Sequence, residues 1–454
     1  MATGTIRGRI GRALGAGAFG QAVTVLVQLA SIPLFLRYWG IERYGEWLIL
    51  SAIPSYLALS DLGFGSAAAN EMTMAAGAGN RDRVITTYQS TWALLGVIFI
   101  LLLVLVPAIA LIASQSPWLG IHTMPDSEVF WVVLLLGGSV AASLAGGIIS
   151  AVYRSEGRFA TGMVYSNLLR LAEFAVTATA LAAGWNAVGL AATILGTRCL
   201  GMATIHGCAL RFAPWSRVSL QHAQGARIRA LARPALSFMA FPVGNAINLQ
   251  GFSLLVGTQL GSAPLVTFTT MRTISRVASQ AMNLINTSVW PELSRAFGRQ
   301  DVTAARELHR RAVQASLALA VGALGVLAIG GSDLLRVWTH GKVTLDVAAY
   351  RFLLAAMAIN ALWFTSSVVS VSVNQHQRMA LVYVAFSGMA LLLAVPLAQG
   401  YGLAGAAAAT LAIELGMALF VLPSSLVLTE DRLVRFCRAL TRWPAYLGGR
   451  VEQT

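Results

Sequence analysis

In the stretch "TFTTMRTISRVASQAMNLINTS", Thr267 to Ser288, Arg272 and Arg276 stand four residues apart in a run that carries no other charge. Four residues make about one helical turn, so a helix presents both guanidiniums on one face. A guanidinium stays charged and offers parallel N–H donors that match phosphate oxygens, which suits the pair to a multiply charged anion. Gln280, Asn283 and Thr287 continue that face, while Ile274, Ala278, Ala281 and Ile285 lie largely elsewhere. Related polar stripes occur at Gln21, Thr24, Gln28 and Ser31, at Asn167, Arg170 and Thr177, and at Asn245 and Asn248. The candidate anion site is therefore Arg272 and Arg276, with Arg170 and Arg198 as secondary cations and Gln28, Thr24, Asn245, Asn248, Gln280 and Asn283 as lining groups. The competing reading is structural: each arginine holds a carboxylate or reaches a lipid head group. Arg170, with Glu173 three residues on, is the position where pairing is most readily expected.

The acidic residues divide differently. Glu414 stands in an apolar run with only Thr410 for polar company nearby. It is a candidate site for a coupling ion, H⁺ or Na⁺, and equally a candidate partner for a buried arginine. Asp61 precedes Leu62, Gly63, Phe64 and Gly65, where the carboxylate can cap a helix and the glycines permit a bend, so this element reads as a hinge. Glu71 and Glu292 neighbour Arg81, Arg83, Arg295 and Arg299, a pattern that serves either a salt-bridged gate or a solvated surface. No metal or other cofactor is expected: Cys199, Cys208 and Cys437 lack metal-ligand spacing, and no histidine pair has it. His122, His222, His309 and His340 are expected in loops or at their edges. The Gly15 to Gly20 stretch lacks the strand and lysine of a phosphate loop and reads as helix packing.

These side chains need elements to carry them. The chain has 454 residues, 57% hydrophobic and 11% charged, with mean hydropathy +0.69, whereas soluble domains carry about 25% charged residues. A membrane helix takes roughly 20 mainly apolar residues, and such windows recur along the whole chain, which makes it an all-α integral membrane protein. Hydropathy, with Gly, Pro and charge clusters as breaks, gives spans near 14–36, 45–66, 84–113, 129–150, 158–183, 187–210, 231–258, 263–288, 311–331, 347–371, 379–398 and 402–428, twelve transmembrane helices in all.

With a cytoplasmic N-terminus, 23 of the 32 basic residues fall in inside segments and four, Arg37, Arg43, Arg336 and Lys342, fall outside. That asymmetry fixes the expected orientation, with both termini cytoplasmic, and accounts for most of the net charge of +14. A nucleic-acid partner then has no motive. Trp39, Trp47, Trp118, Trp185 and Trp338 sit near the expected outer ends, as an interfacial belt would.

The chain also repeats itself. "EMTMAAG" (Glu71 to Gly77) matches "ELSRAFG" (Glu292 to Gly298) at an offset of 221 residues, each at the inner exit of the second span of a six-span half. An offset of six spans preserves orientation, so the repeat is parallel, and the cavity between such halves is where transporters bind substrate. The expected organisation is an N-terminal six-helix lobe over 1–212, a cytoplasmic linker over 213–230, a C-terminal six-helix lobe over 231–428 and a cytoplasmic basic tail over 429–454.

The stretch from Leu36 to Asp82, with its Tyr44-Gly45 turn, Asp61-Leu62-Gly63-Phe64-Gly65 element and small-residue acidic exit, and the stretch from Val289 to Asp301, resemble the multidrug/oligosaccharidyl-lipid/polysaccharide exporter superfamily. Within it the resemblance is to the polysaccharide branch of O-antigen-type lipid-linked oligosaccharide flippases. What this implies is a two-lobe secondary transporter in the bacterial inner membrane, working by alternating access, that moves an undecaprenyl-diphosphate-linked glycan from the cytoplasmic to the periplasmic leaflet. Arg272 and Arg276 would then bind its pyrophosphate. Membrane lipids are implied as partners, and so are the glycosyltransferases and polysaccharide polymerase of the same pathway. A multidrug or cation-coupled exporter of the same superfamily is the alternative, though acidic and aromatic residues would then be expected in place of arginines. A membrane glycosyltransferase or polymerase is a weaker fit, since the longest outer loops, near Ser114 to Glu128 and Gly331 to Asp346, hold no catalytic constellation.

Overall fold

The computed structural model describes residues 6–441 apart from Leu62 and Asn374. Side chains before Gly15, those of Asp61 and His376, and several between 233 and 298 lie outside the described part. The hinge role expected of Asp61 lies outside it too.

The described residues form helices α1 (Ile6–Ser55), α2 (Phe64–Gly77), α3 (Arg81–Ser114), α4 (Asp126–Ser155), α5 (Phe159–Ala182), α6 (Ala187–Leu210), α7 (Gly225–Ala246), α8 (Phe252–Leu260), α9 (Ser262–Gly298), α10 (Val302–Trp338), α11 (Val347–Ser372), α12 (His376–Leu428) and α13 (Leu433–Thr441), with no strand among them. Short 3₁₀ turns precede α2, α4 and α7, and a π-helical turn, Ile247–Gly251, joins α7 to α8. Eight stretches of the described residues are long and apolar enough to cross a membrane, and the chain is a multi-pass membrane protein. α5 and α9 are not among the eight; they carry Arg170 with Glu173, and Arg272 with Arg276. α9 and α10 have 37 residues each, about 55 Å at 1.5 Å rise, well beyond the roughly 30 Å of a hydrocarbon core.

Two of the long helices turn back on themselves at a glycine. Gly40 in α1 has φ 75° and ψ −176°, and Gly402 in α12 has φ 60° and ψ −137°. Side chains on L-residues clash in such conformations, so glycine is what allows the chain to reverse. Aromatic rings bracket the first break: Phe35 stacks on Tyr44 at 4.9 Å between centroids, and Trp39 meets Phe35 at 5.3 Å and Trp47 at 5.4 Å. The chain therefore reverses at Gly40, and Tyr44 and Gly45 are helical where a turn was expected. Gly45 is needed for proximity instead, since a Cβ there would stand 2.3 Å from the Ser262 carbonyl oxygen. Trp47 is buried in this cluster and takes no part in an interfacial belt.

The 221-residue offset recurs in the backbone. Gly40 and Gly261 share positive φ with ψ near 180°. Gly79 and Gln300 both have positive φ, as do Gly120 and Gly341. Asn80 caps α3 by accepting from Arg83 N–H at 2.9 Å, and Asp301 caps α10 by accepting from Ala304 N–H at 2.9 Å. The closing turns before those caps match as well: Asn80 N–H donates to Ala75 O and Asp301 N–H to Ala296 O, each at 2.9 Å.

The chain folds as two compact units. The first comprises Met1–Thr270 with Leu335–Thr344. One core of this unit joins α2, α3, α4 and α7 with small residues in close contact, among them Ala67, Ala68 and Ala235, the packing expected where lipid supplies no hydrophobic drive. Buried hydroxyls find carbonyls: Tyr153 donates to Ile205 O at 2.8 Å and Tyr88 to Ser216 O at 2.6 Å. The segment before α7 is tied to α3, where Gln89 accepts from His222 N–H at 2.6 Å and Ser90 from Gln224 N–H at 2.9 Å. Residues 335–344 belong here because Trp338 Nε1 donates to Leu29 O at 2.7 Å and Lys342 Nζ to Leu36 O.

The second unit comprises Met271–Leu334 and Leu345–Thr454. Thr365 donates to Ser316 Oγ at 2.8 Å, linking α11 to α10, and Ser425 donates to Ser366 O at 2.7 Å, linking α12 to α11. The basic tail contains an unexpected element, α13, whose Phe436 is buried with Val313 of α10 and Leu426 of α12. His309, expected near a loop, is buried in α10, with Nε2 3.0 Å from Ser366 Oγ and its ring stacked on Phe436. α10 begins at Val302 and so takes in a stretch whose charges had marked it as loop.

Candidate functional site

In the second unit, α9 carries Arg272 and Arg276 one turn apart; Arg272 is 7% exposed and Arg276 is exposed. Each lies within the other's electrostatic field. The helix holds them together against that repulsion through its backbone, and its own lower part is fixed by Met282 packing on Ala361 of α11. Glu414 of α12 is 8% exposed. Its Oε2 accepts from Asn360 Nδ2 at 2.9 Å and from Trp363 Nε1 at 2.6 Å, both on α11. The charge of Arg276 acts on Glu414 as well.

The charges of Arg276 on α9 and Glu414 on α12 thus act on each other, with Arg272 one turn away on α9 and Asn360 and Trp363 of α11 holding the carboxylate. The group carries a surplus of one positive charge with Glu414 ionised, and two with it neutral. Such an arrangement can hold an anion, and its affinity changes with the protonation or ion occupancy of the carboxylate. Further along α9, Gln280 is half-buried and Asn283 exposed.

The first unit brings other expected residues together. Arg170 Nη1 of α5 donates to Thr24 Oγ1 of α1 at 2.5 Å, while that hydroxyl donates to Gly20 O at 2.8 Å. A Cβ at Gly20 would stand 2.6 Å from Asn167 Nδ2, so the glycine makes room for the polar stripe of α5. Gln28 is exposed on α1. Glu173 is taken by Arg198 of α6 in a two-pronged pair at 2.6 and 2.7 Å, rather than by Arg170. Arg170 and Glu173 share a helix face, but the fork of Arg198 on the neighbouring helix matches both carboxylate oxygens. Asn245 is exposed near the end of α7 and Asn248 lies in the π-helical turn, a distortion frequent at functional sites.

The expected gate residues differ in their surroundings. Glu71 accepts from Arg83 Nε at 2.6 Å and from Arg227 Nη1 at 3.2 Å, joining α2, α3 and α7. Glu292 is exposed on α9. Gly63 precedes α2 with φ 76°, and a Cβ there would lie 2.4 Å from Ala235 O of α7. Gly65 lies against Gly147 of α4, where a Cβ would be 3.5 Å from the Gly65 Cα.

Two groups escaped the sequence reading. Asn360 and Trp363 stand three residues apart in an apolar run, a spacing that puts both on one face and marks them as a polar pair. Glu46, 1% exposed, accepts from the backbone N–H groups of His122 and Thr123 at 2.6 and 2.7 Å and so fixes the loop before α4. Nothing local announces that partnership, which spans 77 residues.

No family model matches the sequence, and no curated protein matches it. Solved structures match nearly its whole length. An inward-facing multidrug resistance MATE family transporter of the MOP superfamily aligns with a TM-score of 0.69 at 13% identity, over 92% of this chain and 99% of that one. The lipid II flippase MurJ in an inward closed conformation aligns with a TM-score of 0.68 at 13% identity, over 94% of this chain and 89% of that one. An outward-facing MATE transporter of the same superfamily gives 0.62 at 14% identity, over 97% and 98%. The fold is that of these transporters.

Proposed function

We propose that this chain is a flippase that carries an undecaprenyl-diphosphate-linked oligosaccharide from the cytoplasmic to the periplasmic leaflet of a bacterial inner membrane by alternating access, for surface polysaccharide synthesis. The observation that carries the reading is Arg272 and Arg276 one turn apart on α9, one buried and one exposed, with the charge of Arg276 acting on Glu414. Ionisable groups deep in membrane helices are costly and are kept for substrates, ions or partners. A pyrophosphate is the part of such a lipid that a guanidinium pair binds best. Arg170, bonded to Thr24 in the first unit, is a secondary candidate for the substrate's anionic part, and Glu414 is the site for a coupling H⁺ or Na⁺.

The architecture in this reading is twelve spans in two six-helix lobes, over 1–212 and 231–428, with linker 213–230 and tail 429–454. It is supported by adding α5 and α9 to the eight apolar stretches and dividing two of those at Gly40 and Gly402. Both termini are cytoplasmic, and Glu71, held by Arg83 and Arg227, and Glu292 are the inner-gate residues. The partners are membrane lipids and the glycosyltransferases and polymerase that make and consume the glycan. The chain acts as a carrier, without chemistry of its own.

A multidrug exporter is the second reading. It is favoured by the buried Glu414 with the Trp363 indole bonded to it, since an acidic and aromatic pair suits a lipophilic cation. The deciding experiment is depletion of the protein in its own cells. Lipid-linked oligosaccharide accumulates on the cytoplasmic leaflet if the flippase reading holds. Unchanged lipid intermediates together with lost efflux of a lipophilic cation would replace it with the exporter.

A further inference from the structure

The short helix α13 (Leu433–Thr441) shows three faces. Phe436 and Leu440, four residues apart, pack against Val313 and Leu426 of the second unit. Arg310 of α10 grips Asp431 just before the helix through two bonds of 2.8 and 2.7 Å, and Gln314 donates to Ala439 O at 2.6 Å. The helix is thus docked lengthwise on α10, directly after the last long apolar helix. Leu433 and Val434 remain 55% and 62% exposed, and Cys437, one turn beyond Leu433, is exposed too. Arg432, Arg435 and Arg438 are likewise exposed. On α12 the apolar Leu419 and Val427 are exposed almost to its end, so exposed apolar side chains continue in the chain from α12 into α13.

We infer that α13 is a docking surface for the anionic phospholipids of the adjoining leaflet, with Leu433, Val434 and Cys437 set among the acyl chains and Arg435 and Arg438 on the head-group phosphates. A short helix with an apolar strip beside a basic one lies in the interface plane, where apolar burial and attraction to anionic lipid add. Each arginine near an anionic surface contributes about 1 kcal/mol, so Arg435 and Arg438 together give roughly a 25- to 30-fold preference for anionic over zwitterionic lipid. A cytosolic protein is a poorer occupant, because the exposed strip is narrow and flanked by the membrane end of α12. The inference does not depend on what the chain transports.

The test places an environment-sensitive fluorophore on Cys437 of the full-length C199S/C208S variant in nanodiscs of phosphatidylcholine, alone or mixed with phosphatidylglycerol. Quenching by acyl-chain nitroxide lipids is compared with quenching by aqueous iodide. The expected result is at least twofold stronger nitroxide quenching with phosphatidylglycerol, lost in R435Q/R438Q and weakened by high salt. Both arginines lie away from the docked face, so this variant keeps the helix seated; hydrogen exchange of the α13 amides checks that. Iodide-dominated quenching in both lipids, or an R435Q/R438Q variant that quenches like the parent, overturns the inference.

Discussion

The indole N–H of Trp363 lies 2.6 Å from Oε2 of Glu414, and Asn360 donates to the same oxygen at 2.9 Å. One carboxylate oxygen therefore holds two donors from α11, and the buried acid of α12 is positioned by a neighbouring helix rather than by its own. Hydrogen bonds to a charged group are worth about 1.5–3 kcal/mol each. The pair is strong enough to set both the packing of α11 on α12 and the carboxylate's readiness to take up an ion.

Glu414→Gln keeps the size and both acceptor contacts while removing the charge. Transport in proteoliposomes is expected to persist downhill and to stop responding to imposed H⁺ or Na⁺ gradients. Wild-type transport that ignores both gradients would remove the coupling role.

Arg272→Ala takes a charge-assisted, two-pronged donor from the anion site. Export of the lipid-linked glycan is expected to fall on the order of 10- to 100-fold at equal membrane abundance, the range of one such lost contact. Arg272→Lys keeps the charge without the fork and falls between the two. Full export by the alanine variant excludes Arg272 from binding.

Arg198 and Glu173 bind each other tightly while remaining partly accessible. Arg198→Ala and Glu173→Gln each destabilise the purified protein by about 1–2 kcal/mol, read as a lower Tm, and the double variant recovers part of the loss. If Arg198 also touches substrate, export stays low in the double variant although stability returns.

Gln300 adopts φ 59° where its counterpart at the 221-residue offset, Gly79, has φ 72°. A left-handed L-residue costs roughly 1–2 kcal/mol, partly offset by the greater unfolded-state freedom of glycine. Gln300→Gly is expected to raise stability by up to about 1 kcal/mol. Gly63→Ala goes the other way, since it meets both a positive φ and the Ala235 carbonyl, and folded yield after extraction falls.

Burial alone would raise the carboxyl of Asp431, but the Arg310 side chain, the Arg432 backbone N–H and the charges of Arg310 and Arg306 outweigh it and hold the group below the ordinary aspartate range. A lowered native value means that this contribution is complete above the unfolded value, near about 3.9, and is lost as pH falls through the native one. Docking of α13 is therefore expected to be level between pH 7 and 5 so far as this pair governs it, and to weaken only at strongly acid pH. Asp431→Asn loosens it throughout that range and approaches the parent only at strongly acid pH, read by hydrogen exchange corrected for intrinsic rates.

The sequence carried the helical periodicity and the breaks well, because apolar runs, glycines and basic clusters are local signals. Its 221-residue offset reappears at Gly40 and Gly261, at Gly79 and Gln300, and in the caps Asn80 and Asp301. Partnerships were less legible. Arg170 was expected to meet Glu173, three residues away, yet a better-shaped donor arrives from α6. Thr24 and Arg170 were each singled out, but only tertiary packing brings them within bonding distance. His309 and α13 were obscured by charge: four basic or acidic neighbours made that part of α10 read as loop, and a tail rich in arginine hid a helix held by one buried phenylalanine.

Residues 335–344 join the first unit through Trp338 and Lys342, whereas Met271–Leu334 belong to the second. During synthesis the first unit therefore stays open after its main body is inserted, until another 64 residues have left the ribosome. At about 5–20 residues per second that delay is roughly 3–13 s. The carbonyls of Leu29 and Leu36 wait through it for donors made later, so the order in which the chain emerges closes the N-terminal unit only after the first stretch of the second unit has been made.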